Sequence, residues 1–379
     1  MKYYILYAFI LTLLSLLPRT AYTQAPNLGT TSTFALFTAA GAFNNNGTTT
    51  VVGDIGTNVG AFSGFPPGIV AGQIHVADPV TAQAAVDVDA AYMQLDGLPC
   101  GAVIGTTLGN NQTLMPNIYC LGAASVINGD LILDGQCDPN ALFIFQIDGA
   151  LSTNVSARVI LINSASICNV YWQVNGAFSL GDNSVFRGTL IGNGAISLLQ
   201  GSSLLGRGLS RAGAIELHTN VVNIDTKPTA SNISANGPST FCVGDSVVLT
   251  GNCGGTWNTG STVLAITVKI SGDYFVTNIN SCGSSVSNHI QVIANPVPVC
   301  SINGLSDICE GQSTNLCSPP GAASYLWNTG AVTNCILVRD AGVYSVTVLD
   351  LNGCSSTCSR TVTTIPIPVC TISGNSVIC

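Results

Sequence analysis

The side chains that most often carry chemistry are few and scattered in this sequence. Its three histidines, His75, His218 and His289, fall in separate segments, so neither a ligand set nor a catalytic dyad can be read from them. No G-x-S-x-G elbow, H-E-x-x-H pair or G-x-x-x-x-G-K phosphate loop occurs. Asp148 and Asp182 could act as a carboxylate pair only if the fold joined their segments, and they read as solvated turn residues. A calcium loop of D-x-D-x-D-G type is missing. Arg207 and Arg211, in GRGLSRAG, read as caps on turn carbonyls. The expectation is a protein that catalyses no reaction and uses no metal or cofactor.

Cysteine is the reactive residue the chain has in quantity, with fifteen copies. None forms a C-x-x-C pair, so zinc and dithiol redox chemistry are poorly matched, and disulfides in an exported chain are the natural reading. Within the first part of the chain, Cys100 with Cys120 and Cys137 with Cys168 are candidate pairs. Later, Cys242 with Cys282 and Cys309 with Cys354 are candidates, although spacing alone does not fix connectivity.

Composition narrows the classes further. Hydrophobic residues make up 47% and charged residues 7%, against about 25% charged in an ordinary soluble domain. The apolar content suffices for a core. Ten lysines and arginines in a chain of net charge −8 cannot assemble a nucleic-acid-binding patch. The opening MKYYILYAFILTLLSLLPRTAYTQA reads as a secretory leader cleaved within residues 21–25. No later segment is long and apolar enough to span a bilayer. The expected location is secreted or cell-surface.

Two kinds of repeat set the organisation. GAFSL at Gly176, GAISL at Gly194 and GAIEL at Gly213 recur after eighteen and nineteen residues, a period that suits one turn of a β-solenoid, in which apolar ladders are buried only by stacking. Ile196, Leu198, Ile215 and Leu217 are the expected inward ladders. Further on, PVPVCSINGLSDIC ending at Cys309 matches PIPVCTISGNSVIC ending at Cys379, and TWNTG at Thr256 matches LWNTG at Leu326. These units alternate polar and apolar residues, as in VYSVTVLD, and read as immunoglobulin-like β-sandwich repeats with Trp257 and Trp327 in their cores. One segment is helical: Asp78 is its N-cap, Pro79 its first residue, and Val80, Ala84, Val88, Ala91 and Leu95 its apolar stripe. The expected organisation is a leader over 1–24, a solenoid over 27–226 with a helix at about 79–96 lying along it, and a linker over 227–237. Repeats over 238–296 and 297–366 follow, then the start of a third over 367–379.

Several stretches together resemble the ice-binding-like family: FALFTAAGAF at Phe34, TVVGDIGTNVGAFSGFPPG at Thr50, GQIHVADPVTAQAAVDVDAAY at Gly72 and GNNQTLMPNIYC at Gly109. They continue with GDLILDGQCDPNALFIFQIDGAL at Gly129, VILINSASICNVYWQVNGAFSLG at Val159 and GRGLSRAGAIEL at Gly206. The resemblance implies an all-β fold with one long helix: a right-handed, three-sided, discontinuous solenoid whose first coil lies out of sequence order, followed here by the sandwich repeats. It also implies adsorption to ice through a flat face of short side chains. Rungs stacked about 4.7–4.9 Å apart repeat one side chain per rung, and threonine suits such an array because its stiff χ1 loses little rotamer entropy.

The family's T-A/G-x-T/N motif aligns with NVSA at Asn154, DNSV at Asp182, QGSS at Gln200 and TNVV at Thr219, where only Thr219 keeps the leading threonine. The resemblance therefore implies ice contacts at Asn154, Ser156, Ser184, Gln200, Ser202 and Thr219, with Thr48 and Thr50 of the richer NNNGTTT stretch. The partner it implies is the ice surface, with the C-terminal repeats attaching to a cell surface or extracellular matrix. The competing reading is a bacterial adhesin whose solenoid binds a polysaccharide or protein.

Overall fold

The computed structural model describes residues 24–224, 227–280, 282–371 and 373–374. Residues 1–23 of the expected leader, and residues 375–379 of the expected start of a third repeat, lie outside the described residues. Two compact units are present. The first comprises residues 24–231 together with Cys253–Thr256 and Val276–Ser287, and the second comprises Asn232–Asn252, Trp257–Phe275 and the chain from Asn288 onward.

The first unit is a coil of short parallel strands with three walls. One wall carries Ala102–Val103, Asn117–Leu121, Phe143–Ile147, Val170–Val174, the second halves of Val185–Gly192 and Ser203–Ser210, then Phe34–Thr38, Asp54–Thr57 and Ile74–Val76. The second wall is an eight-stranded sheet: Thr107–Gly109, Ser125–Asn128, Leu151–Thr153, Phe178–Leu180, Ile196–Leu198, Ile215–Leu217, Phe43–Asn45 and Phe62–Ser63. The third holds Gln112–Leu114, Asp130–Asp134, Arg158–Ile162, the first halves of the two long strands, then Val221–Asn223, Thr50–Val52 and Ile69–Ala71. Every wall shows the same discontinuity. Leu36 pairs with Gly208, Phe43 with Ile215 and Thr50 with Val221, so the N-terminal coils extend the C-terminal one.

That winding creates a problem of return. The chain leaves Val76 at one end of the stack and must begin again at Ala102 at the other. The helix Pro79–Asp96, about 27 Å long at 1.5 Å per residue, makes the crossing. Asp78 caps it: Thr81 N donates to Asp78 Oδ1 at 2.8 Å, and Asp78 N donates to Thr81 Oγ1 at 2.9 Å. The Thr81 backbone donor, with His75 beside it, holds the Asp78 carboxyl below its ordinary range. Ala84, Val88, Ala91, Tyr92 and Leu95 pack onto Phe34, Phe37, Ile118, Ile144, Tyr171, Ile191 and Leu209 of the first wall. Val80, expected in this stripe, is 36% exposed, and Tyr92 takes the buried place. At the other end Gln146 Nε2 donates to the carbonyls of Leu95 and Leu98, at 2.6 and 3.0 Å, satisfying acceptors that a helix end leaves open.

The core is built of ladders. Leu151, Phe178, Ile196, Ile215 and Phe43 stack inward from the second wall, and Val159, Phe186, Leu204, Val222 and Val51 from the third. Trp172 lies between Phe145 and Phe186, with centroids at 3.8 and 4.9 Å, and donates to Arg187 O at 3.0 Å. Full burial of such side chains contributes roughly 1.5–3 kcal/mol each. The recurring GA words mark the corner leading into the second wall. A Cβ added at Gly194 would sit 2.7 Å from Ala177 N, and one at Gly213 would sit 2.4 Å from Ala195 N. Successive rungs approach too closely there for any side chain.

The disulfides depart from the sequence pairing. Cys100 bonds Cys120, but Cys137 bonds Cys253 and Cys168 bonds Cys282 instead of each other. The reason is packing: the loop at Cys253 and the hairpin Val276–Val286 lie against the coil, where Ser164 Oγ donates to Cys253 O and a Cβ on Gly254 would touch Cys137 O. Cys137 and Cys168 thus both bond the later chain, while Cys100 and Cys120 bond each other.

In the second unit Cys242 bonds Cys354 instead of Cys282, because Cys242 ends a strand opposite Asn295, where the chain leaves the repeat. Cys309 is accordingly not bonded to Cys354; it is exposed and free. Cys300–Cys358 and Cys317–Cys335 complete the set. The strands of this unit pair mostly antiparallel, as Gly342–Leu349 does with Ser355–Ile365, and Trp257 and Trp327 are each 1% exposed.

Two outcomes test this construction. Gly194→Val should destabilise the coil by about 1–3 kcal/mol, read as a lower urea midpoint at unchanged slope. Joint replacement of Cys168 and Cys282 by serine should cost roughly 2–5 kcal/mol, read by calorimetry of the oxidised protein.

Candidate functional site

The scattered titratable groups are absorbed by structure. His75 Nδ1 lies 2.7 Å from Asp78 Oδ2 at the helix cap, and His289 Nδ1 lies 2.6 Å from Asp273 Oδ2. Asp148 follows a strand of the first wall and Asp182 a strand of the second, so they occupy different corners of the coil. Arg207 donates twice to Ser32 O, at 3.1 and 2.6 Å, and burial lowers its pKa. Arg211 is not a carbonyl cap: it donates to Asn193 Oδ1 at 2.6 Å, pairs with Asp89, and lies 4.4 Å over the Tyr92 ring, which ties the helix to the coil. Among the described residues no group of three His, Cys, Asp or Glu could hold a metal ion.

What the coil offers is surface. The helix covers the first wall, which leaves two. On the second, one outward position per rung stacks in register through eight rungs: Thr107, Val126, Ser152, Ser179, Ser197, Glu216, Asn44 and Ser63. Two residues earlier in seven of those rungs stands an alanine, at 124, 150, 177, 195, 214, 42 and 61. The last six of these alanine carbonyls each accept a backbone hydrogen bond of 2.7–2.9 Å from the neighbouring rung. Residues two apart on a strand project to the same side. The second wall therefore presents a methyl column beside a column of short polar groups, with Glu216 its one charge.

The third wall differs. Its outward positions include Val185, Ser203, Val221, Thr50 and Ile69 in one column and Ile160, Arg187, Leu205, Asn223 and Val52 in the next. At one end Arg158 makes a two-pronged ion pair with Asp130, at 2.8 and 2.6 Å. A cavity of about 520 Å³ opens there, lined by Arg158, Ile160, Val185, Arg187 and Lys227. Burial, then the neighbouring Arg158, pushes the Arg187 pKa down.

The residues singled out in the sequence lie mainly on neither wall. Asn154, Ser156, Ser184, Gln200, Ser202 and Thr219 occupy the corner between the second and third walls. Ser156 and Thr219 have left-handed backbones, with φ of 59° and 55°. Ser184 and Ser202 are fully buried. Ser184 Oγ donates to Asn154 O at 2.7 Å and accepts from Ala157 N at 3.1 Å; Ser202 Oγ donates to Leu199 O at 2.8 Å and accepts from Asn220 Nδ2 at 3.0 Å. A coil of three walls must bend here, and the tetrads supply the bend. Thr48 lies at the same corner, and Thr50 is exposed on the third wall. The overlooked signal was the residue after each GA-x, since G-A-x-S recurs at the rung period.

A family model described as Ice-binding-like matches residues 37–223. The ice-binding protein of Nostoc sp. (strain HG1) is 35% identical over 199 residues, covering 52% of this chain and 73% of that protein. That of Leucosporidium sp. (strain AY30) is 30% identical over 208 residues, covering 48% and 78%. Among solved structures, the ice-binding protein of the Antarctic ascomycete Antarctomyces psychrotrophicus shares 32% identity and a TM-score of 0.51, over 53% of this chain and 98% of that one.

The corner serines have a structural role that can be measured. Ser184→Ala removes both partners' bonds and should cost about 1–3 kcal/mol for the unsatisfied buried groups, read as a lower denaturant midpoint.

Proposed function

The chain belongs to the ice-binding-like family, and we propose that its coil adsorbs to ice crystals through the second wall, limiting their growth or recrystallisation. The observation that carries this reading is the paired column on that wall: an alanine methyl on seven successive rungs, beside a short uncharged polar group on five of them. Rungs recur about every 4.7–4.9 Å, and residues two apart along a strand lie about 6.4–6.8 Å apart. The wall is thus a two-dimensional lattice of small groups. Alanine loses no rotamer freedom on contact, and the hydroxyls hold water in fixed places. A charged side chain would keep its own hydration shell, so Glu216 is the flaw in the array.

A second reading places ice contact on the third wall, because Val221, Val52 and Ile69 are exposed apolar residues there, and exposed apolar patches mark contact surfaces. The cations and the cavity at one end of that wall argue for the second wall instead. The polysaccharide or protein adhesin is set aside on the same comparison: the two outward columns of the second wall contain neither aromatic side chains nor clustered charge.

We further read the protein as secreted and non-catalytic. Its coil is right-handed, as parallel crossovers almost always are. The second unit is read as immunoglobulin-like repeats that serve as spacers or attach to a cell surface or matrix. Their antiparallel pairing and buried tryptophans support that assignment.

Thermal hysteresis of the full chain tests the assignment. Ser179→Tyr and Ser197→Tyr should each lose most of the activity at unchanged melting temperature, Glu216→Thr should raise it, and Thr50→Tyr and Val221→Tyr should leave it intact. The reverse pattern moves the contact to the third wall, and a wild-type chain without activity removes ice as the ligand.

A further inference from the structure

The cysteines of the second unit follow a rule that leaves two of them over. Cys242 and Cys309 hold equivalent places in successive repeats, in STFC and SDIC. Each ends a short strand lying parallel to the last strand of its repeat, Cys242 opposite Asn295 and Cys309 opposite Ile365. That is the point where the chain passes on to the next repeat.

Cys282 and Cys354 are likewise equivalent, each preceding a serine pair after a matching strand. Both are bonded backward, to the module before. Cys282 takes Cys168 of the coil across 114 residues, and Cys354 takes Cys242 of the first repeat across 112.

A second bond obeys the same logic. Cys300, in the connecting PVPVC, bonds Cys358. Counting back from Cys309 to Cys300 and from Cys242 by the same nine residues reaches Ile233, and the first-repeat equivalent of Cys358 is Ser287, which lies opposite Val276 as Cys358 lies opposite Val346. Both cysteines are replaced together in the repeat that lacks this bond. Cys370 stands where Cys300 does, seventy residues on. Cys309 and Cys370 are the two free, exposed thiols among the described residues.

We infer that Cys309 and Cys370 form one half of a covalent junction. The partner it fits is a following module of this same repeat type, bearing cysteines at the positions of Cys354 and Cys358. Each bond forms as two thiols give up two protons and two electrons to a disulfide oxidant of the exporting compartment, which is reduced to two thiols. Every junction then carries the backward bond that Cys168–Cys282 and Cys242–Cys354 already make, and the array is linked domain to domain as well as along its backbone.

Appending a copy of residues 310–365 after residue 379 completes a third repeat in register. In the oxidised natural chain, maleimide should label Cys309 and Cys370. In the extended chain both labels should disappear, and peptide mapping without reduction should find Cys309 joined to the added equivalent of Cys354 and Cys370 to that of Cys358. Cys309→Ser in the extended chain should leave the added equivalent of Cys354 reactive at an unchanged melting temperature of the first repeats. Continued labelling of Cys309 in the folded extended chain, a Cys309–Cys370 bond, or bonds found only between separate molecules would each overturn the inference.

Discussion

Backbone pairing between consecutive coils governs this molecule. Once parallel strands are held about 4.7–4.9 Å apart, every position in one coil lies over the same position in the next, and the chain must choose its residues column by column. Inward columns are aliphatic or aromatic, because a polar side chain repeated there would leave several buried groups unpaired at once. The column at the corner before the second wall is glycine wherever rungs touch backbone to backbone, as Gly194 does against Ala177. The corner beyond it is a column of buried hydroxyls and amides, Ser184, Ser202 and Asn220, which close the turns that bend the coil. The outward columns obey the same periodicity, so an ordered outer surface comes from the architecture that builds the core.

The discontinuous winding explains the one helix and, through it, which surfaces remain available. With the N-terminal coils stacked beyond the C-terminal one, the chain has to travel the length of the stack to start again. The helix does this over the first wall, and its apolar stripe covers that wall's outward Ile118, Ile144, Ile191 and Leu209. Without the crossing these residues would face water. Two walls are left, and their difference is chemical: alanine and serine on one, larger aliphatics with Arg158 and Arg187 on the other.

Much of this could be read from residues alone, and the reasons for the misses are specific. The GA words gave the period because glycine there answers to a local steric demand, and the helix gave its start because Asp78 and Pro79 answer to local capping. The order of the coils is not local; it entered only through the family likeness. That NVSA, DNSV, QGSS and TNVV lie at a corner was not legible, because a tetrad does not reveal whether it sits on a strand or rounds a bend. Ser184 and Ser202 look like surface serines until the turn buries them. Disulfide partners failed for a related reason. Cys137 and Cys168 are near in sequence, but each bonds a segment more than a hundred residues away, and no local pattern encodes that.

A nearly uncharged chain also has to hold its parts together without much electrostatics. Only four ion pairs occur among the described residues, two of them through histidine, and exposed pairs contribute about 0–1 kcal/mol each. Disulfides do not depend on surface charge. Two of them fasten segments of the first repeat to the coil, closing loops of more than a hundred residues, where the loss of unfolded-state entropy is largest. Both bonds lie within the first compact unit, where they hold distant segments of the chain together without adding charge to its surface.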